Sequence, residues 1–406
     1  MLWRKLWAVL LVLALVGVPM AGAVEESEAE EQAAPEVTYD PAAGSGGDPM
    51  PDSTAKAVLV MDAGSGTVLW EKNAHEVLEP ASVTKIMTML LVCEAVDAGL
   101  LAPDTMVTTS AHAAGMGGSQ VYLEEGEQMS LREMVKCVVV SSANDCATAL
   151  AEAVAGSESG FVEKMNQRAR ELGMEHTHFA NCTGLDDEAG PEEHYTTARD
   201  IAVMSRALLQ HDEIREFTTI WMDTIRDGAF GLSNTNKLVR FYQGTTGLKT
   251  GYTASAGYCM SASAERDGME LIAAVMHCES STDRFESAKA LLDYGFAAYT
   301  LVDPMGEEQA QPVTVELGAS ETVQPVPGQN EPVLLEKEQA AGVTREIQLG
   351  ERVSAPVEQG QVLGSVTLKS GDTVLAEVPL VAECGVEKLS WGQIFSHMVA
   401  KLWMAA

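Results

Sequence analysis

Two pairs of strand-like segments, one near residue 55 and one past residue 250, enclose a long stretch of helical texture, and this arrangement limits the folds open to the chain. Ala57–Met61 and Thr67–Trp70 flank Asp62-Ala63-Gly64-Ser65-Gly66, the pattern of a β-hairpin with a glycine-containing turn. Gly257–Ala264 and Glu270–Cys278 flank Arg266-Asp267-Gly268 and predict a second antiparallel pair. Between the pairs, spacing predicts a helix opened by Ser82, then helices over Ser130–Val140, Ala143–Ala155, Gly160–Leu172 and Thr196–Leu209. A short extended piece is expected at Gln120–Leu123, strand texture from Trp221 onward, and a closing helix over Asp283–Tyr299. Strands from both ends with helices inserted between them predict an α+β fold, an antiparallel sheet flanked by a helical cluster, over 55–300.

The texture changes after Tyr299. Pro312–Leu317, Pro332–Leu335, Glu346–Leu349, Gly364–Leu368 and Thr373–Val378 are short, partly alternating and punctuated by Gly or Pro, which predicts a small all-β domain over about 305–384. At the other end, Arg4 and Lys5 precede an apolar run, Leu6–Val18, and the small-residue site Ala21-Gly22-Ala23. This reads as a signal peptide over 1–23, with an uncleaved anchor as the alternative; either way the rest of the chain is exported. Residues 24–54 carry nine acids among Ala, Pro and Gly and read as a flexible spacer. In the tail, 386–406, Trp391, Ile394, Phe395, Met398, Leu402 and Trp403 fall on one helical face. That pattern fits a helix lying in a membrane interface, with docking on protein as the alternative.

Charge narrows the partners. With 59 acidic against 26 basic residues and a net charge of −33, the chain is unsuited to phosphate backbones, so nucleic acid is not a partner. The seven cysteines show no framework spacing and are odd in number, so buried thiols are expected rather than a disulfide scaffold. No Cys/His grouping has zinc spacing, and His176 and His178 read as structural or exposed. No metal or cofactor is expected.

Chemistry enters at Pro80-Ala81-Ser82-Val83-Thr84-Lys85, followed by Ile86, Met89, Leu90, Cys93 and Val96 at helical spacing. Residues at i and i+3 share a helix face, so Lys85 can deprotonate Ser82 and make it a nucleophile. Alone the pair is weak: Ser82 could simply cap a helix. Ser53 and Lys56 repeat the spacing in an acidic segment with no apolar helix behind them. Two further triplets follow, Ser142-Ala143-Asn144 and Lys249-Thr250-Gly251. The first could be helix caps and the second a turn ending a strand. Together and in this order they match the three-part signature of penicillin-recognising serine enzymes.

The sequence resembles the D-alanyl-D-alanine carboxypeptidases of the low-molecular-weight penicillin-binding protein class, from about Ala55 to the C-terminus. Asn181-Cys182-Thr183-Gly184-Leu185, His194–Asp200 and Thr246–Thr253 look like stretches typical of that group, as does the layout of the chain. The resemblance implies peptidoglycan stem peptides and β-lactams as ligands, at the outer face of the cytoplasmic membrane. It implies that Ser82 attacks the carbonyl between two D-alanines, with Lys85 as its base in the neutral form. Ser142 would pass a proton to the leaving amine, and Asn144 would bind the substrate amide while orienting Lys85. Lys249 and Thr250 would hold the terminal carboxylate, and Gly251 would let the substrate approach. The N–H groups of Ser82 and Tyr252 would form the oxyanion hole. Arg284 would add charge for the carboxylate, or be an ordinary arginine at a helix start. A β-lactamase is disfavoured because no Glu-x-x-Leu-Asn lies between the second and third triplets; Glu188, Glu192 and Glu193 lack that spacing. A penicillin sensor that acylates without turnover, and an endopeptidase using the same machinery, remain open alternatives.

Overall fold

The computed structural model describes residues 53–186, 192–328 and 332–395. Residues 1–23, where a signal peptide is expected, nearly all of the acidic spacer, Glu188 and the tail beyond Phe395 lie outside the described residues. The expected sheet is present. Its five strands run Val68–Lys72, Ala57–Asp62, Met269–Cys278, Gly257–Arg266 and Thr245–Thr253 in spatial order, and every neighbouring pair is antiparallel. The N-terminal hairpin therefore docks edge to centre against strands from beyond residue 240, which closes the domain.

Both faces of the sheet are covered. Ala57–Asp62 is buried throughout and the other two inner strands are buried over their middles, and their residues alternate between two cores because successive side chains point to opposite faces. Leu59 and Met61 face the helical cluster; Val58 and Val60 face the closing helix Ser281–Ala298. The cluster comprises Lys85–Asp97, Leu131–Ser141, Asn144–Ala155, Glu158–Glu171 and Ala198–Leu209. Its central member, Lys85–Asp97, is apolar on nearly all sides, with nine of its thirteen residues buried. A helix of this kind belongs in the middle of a core.

Helix starts follow capping chemistry: Ser130, Ser157, Thr197 and Ser280 each accept a backbone N–H from three residues on. Two local expectations differ. Ser82 does not open the α-helix; it sits inside a 3₁₀ turn, Ala81–Thr84, and the α-helix begins at Lys85. Gln120–Leu123 is not extended throughout, because Tyr122 holds φ +58, and the Val121 and Leu123 N–H groups donate to the buried Asp145 carboxylate at 3.0 Å. The strands of that region are Met106–Thr108 and Gln128–Ser130.

Past Ala298 the chain is β-rich. Tyr299–Val302 pairs with Val333–Glu336, and two further sheets, of three and four strands, follow. Leu334 contributes to the same core as Phe296 of the closing helix, and Lys337 Nζ donates to the Phe296 carbonyl at 2.6 Å. The tail turns helical after Ser390, where Trp391 is 88% and Phe395 69% exposed. Among the described residues no helix is long and apolar enough to cross a membrane.

Candidate active site

The three triplets converge beside the Ala81–Thr84 turn. Ala81 adopts φ +49, a left-handed conformation that costs a residue with a Cβ about 1–2 kcal/mol. The kink turns Ser82 to the end of the sheet, half-buried, directly before the apolar helix. Lys85 is fully buried. Its Nζ lies 3.0 Å from Ser82 Oγ and 2.7 Å from the Thr183 carbonyl. Burial pulls its pKa down to about 7, against the raising influence of nearby Cys182 and Asp145. A neutral amine within hydrogen-bond reach of a hydroxyl is the arrangement a general base needs. The expected partner, Asn144, does not orient Lys85 by any described hydrogen bond; the Thr183 carbonyl does.

Ser142 follows the helix Leu131–Ser141 in the left-handed conformation, φ 62 and ψ 28. Asn144 is the first residue of the next helix, whose N-cap is Ala143 without a side-chain bond. Neither side chain caps a helix. Ser142 Oγ instead accepts from Lys249 Nζ at 2.9 Å. Asn144 Nδ2 donates to the Gly117 carbonyl at 2.8 Å, while its Oδ1 is buried with no partner, an unsatisfied acceptor of the kind found where a ligand binds.

Lys249, Thr250 and Gly251 lie mid-strand in Thr245–Thr253 rather than at a strand end. Lys249 is buried and also donates to the Thr250 carbonyl. Burial first, then the charges of Lys85 and Arg284, push its pKa well down. Thr250 Oγ1 bonds Thr235 Oγ1 at 2.7 Å. A Cβ on Gly251 would stand 2.8 Å from the Pro80 carbonyl oxygen and 3.0 Å from the Ser82 nitrogen. The absent side chain is thus what lets this strand close against the Ala81–Thr84 turn. Tyr252 is exposed and stacks on Tyr258, ring centroids 4.3 Å apart.

Arg284 is buried beneath the strand edge, and Nη1 donates to the Gly251 carbonyl at 3.0 Å and the Cys259 carbonyl at 3.4 Å. It braces the third triplet from below as well as contributing charge. The site therefore gathers three basic side chains, Lys85, Lys249 and Arg284, none of which hydrogen-bonds a carboxylate among the described contacts. The other Ser-x-x-Lys does not form a pair: Ser53 bonds Ser287, and Lys56 pairs with Glu76 at 2.8 Å. Among the described residues no group of His, Cys, Asp and Glu could hold a metal ion.

Sequence reasoning gave no role to Thr183, Gly184, Thr84 or His194. Gly184, at φ +79, packs so closely that a Cβ would fall 1.9 Å from the Ala81 oxygen. Thr84 Oγ1 donates to the Ala81 carbonyl at 2.8 Å and lies 2.8 Å from His194 Nε2. Burial lowers the His194 pKa to about 4, so the ring is neutral. The only sequence signal was that Thr183, Gly184 and His194 fall in the stretches Asn181–Leu185 and His194–Asp200, and that Thr84 stands beside Lys85.

The sequence profile of the D-alanyl-D-alanine carboxypeptidase family matches residues 46–280, and that of the penicillin-binding protein 5 C-terminal domain matches 304–388. The chain is 41% identical over 339 residues to the D-alanyl-D-alanine carboxypeptidase DacF of Bacillus subtilis, covering 82% of this chain and 86% of the relative. Penicillin-binding protein 5 of Haemophilus influenzae is similar in structure, with a TM-score of 0.70 at 29% identity over 84% of this chain and all of that one. Penicillin-binding protein D2 of Listeria monocytogenes, solved with ampicillin bound, gives 0.56 at 33% identity over 61% of this chain and all of its own.

Proposed function

Because the chain belongs to the D-alanyl-D-alanine carboxypeptidase family, we propose that it removes the terminal D-alanine from peptidoglycan stem peptides through an acyl-enzyme on Ser82, and that β-lactams trap it at the same residue. The observation that carries this reading is the 3.0 Å contact between Ser82 Oγ and a buried Lys85 Nζ with a pKa near 7.

The roles follow from position. Lys85 takes the proton as Ser82 Oγ bonds to the scissile carbonyl carbon. The developing oxyanion is received by the N–H groups of Ser82 and Tyr252, which the tight fit of Gly251 against the turn supports. As the C–N bond breaks, Ser142 Oγ protonates the departing amine and recovers a proton from Lys249 Nζ, 2.9 Å away. Lys249, Thr250 and Arg284 favour a substrate with a free carboxylate, which suits a carboxypeptidase better than an endopeptidase. Asn144, with a buried unpartnered Oδ1, binds the substrate amide. Water then attacks the ester carbonyl and gives its proton to the Ser142–Lys249 pair, while Lys85 returns its proton to the departing Ser82 Oγ, which releases the shortened peptide and restores both lysines and the nucleophile.

In the same reading, residues 55–300 do the chemistry, 305–384 form the β-rich part, 1–23 export the chain and 24–54 act as a spacer. The tail over 386–406, helical from Trp391 to Phe395 where it is described, rests on the outer face of the cytoplasmic membrane, a reading supported by the exposed Trp391 and Phe395. Labelling with a fluorescent penicillin followed by peptide mass mapping tests the nucleophile. The adduct is expected on the peptide bearing Ser82; an adduct elsewhere, or equal labelling of Ser82→Ala, refutes it.

A further inference from the structure

We propose that His194 is a positioning residue for the oxyanion hole, acting on the Ser82 N–H through Thr84 and the Ala81 carbonyl; the inference rests on Ser82 being the nucleophile. The chain of contacts has one direction. The Ala180 backbone N–H donates to His194 Nδ1 at 3.1 Å, so the ring proton of the neutral imidazole is on Nε2. Nε2–H therefore donates to Thr84 Oγ1 at 2.8 Å. With its lone pair so engaged, the Thr84 hydroxyl donates its own proton to the Ala81 carbonyl at 2.8 Å.

That carbonyl belongs to the peptide unit whose N–H is that of Ser82. In a planar trans peptide the C=O and N–H point in opposite directions, so fixing the Ala81 oxygen fixes the aim of the Ser82 N–H. The unit needs fixing because Ala81 holds a left-handed φ of +49, a conformation a residue with a side chain leaves unless its surroundings impose it. All members are out of water: Thr84 is fully buried and His194 is 6% exposed. Phe179 closes one side of the ring, centroids 5.9 Å apart. A chain of buried hydrogen bonds polarises each successive donor, so loss of the histidine weakens the grip on the turn at its far end.

The function of such a device is read in rate rather than affinity, because an oxyanion exists only in the transition state. In the full-length protein, His194→Leu is expected to lower both the penicillin acylation rate and kcat for D-alanine release by roughly tenfold to a hundredfold, with KM within about twofold of wild type. His194→Gln, whose Oε1 can accept from Ala180 and whose Nε2 can donate to Thr84, is expected to recover most of the loss. A general packing role would not be rescued in this way. Thr84→Val and Thr84→Ser repeat the test at the next link, slow and near wild type respectively, and carry it alone if His194→Leu does not fold. Wild-type kcat in His194→Leu or Thr84→Val, or His194→Gln as slow as His194→Leu, overturns the proposal while leaving the nucleophile assignment standing. A wild-type protein that takes up no penicillin overturns both.

Discussion

At the scale of single residues, the site works by taking charge out of water. Lys85 hydrogen-bonds no carboxylate among the described residues and has no exposed surface, so its ammonium form is disfavoured and its pKa falls to about 7. The sign follows: below that value Lys85 is protonated and cannot accept the Ser82 proton, above it the amine is free. The acylation rate is therefore expected to rise by about tenfold per unit at acid pH and to level off above about 7; a rate flat from pH 5.5 to 8.5 contradicts this. Gly184 gives a second prediction. At φ +79, with a Cβ that would overlap the Ala81 carbonyl, Gly184→Ala should cost about 3 kcal/mol or more in denaturant unfolding and abolish acylation. The Ser82 and Lys85 pairing was legible because i, i+3 spacing is a property of sequence alone. Its support was not. Lys85 is held by a backbone carbonyl 98 positions away and Thr84 by a histidine 110 away, and a main-chain acceptor leaves no residue-type signature.

At the scale of elements, the catalytic cleft is a junction of a turn, an interhelical corner and a strand edge. The three are held in register by close backbone approach. Gly251 is where the strand meets the turn, so Gly251→Ala should separate the Ser82 and Tyr252 N–H groups. We expect penicillin acylation to fall by at least about a hundredfold while the unfolding midpoint moves far less than for Gly184→Ala; an unchanged acylation rate refutes the assignment. Most elements were legible from periodicity and capping, and the hairpins from their glycine turns. Gln120–Leu123 differs from the extended piece expected because Tyr122 is left-handed and the flanking N–H groups are satisfied by the Asp145 side chain, a contact from more than 20 positions away that local sequence does not encode. The Ser82 helix start was misread for a related reason. A hydroxyl residue before an apolar-periodic run signals an N-terminus, but here Ser82 lies in a 3₁₀ turn entered through the left-handed Ala81, and the α-helix starts at Lys85.

At the scale of the whole molecule, the sheet is assembled from segments some 200 residues apart in sequence, such as Val58 with Val275, so the nucleophile turn and the third triplet meet only in the folded domain. The strands at both ends of a helical stretch made this topology readable. Among the described residues the β-rich part and the tail contribute no side chain to the site, and from this we expect a chain ending at residue 388 to hydrolyse soluble peptide at the full-length rate. Sedimentation with lipid vesicles should be lost on the same truncation if the tail is the membrane contact; undiminished vesicle binding would assign that contact elsewhere. The central claim, that Ser82 is the nucleophile of a D-alanyl-D-alanine carboxypeptidase, is tested most directly by D-alanine release from a peptide ending in D-Ala-D-Ala. The wild-type protein should release D-alanine and Ser82→Ala none; no release by the wild type, or equal release by the variant, would contradict it.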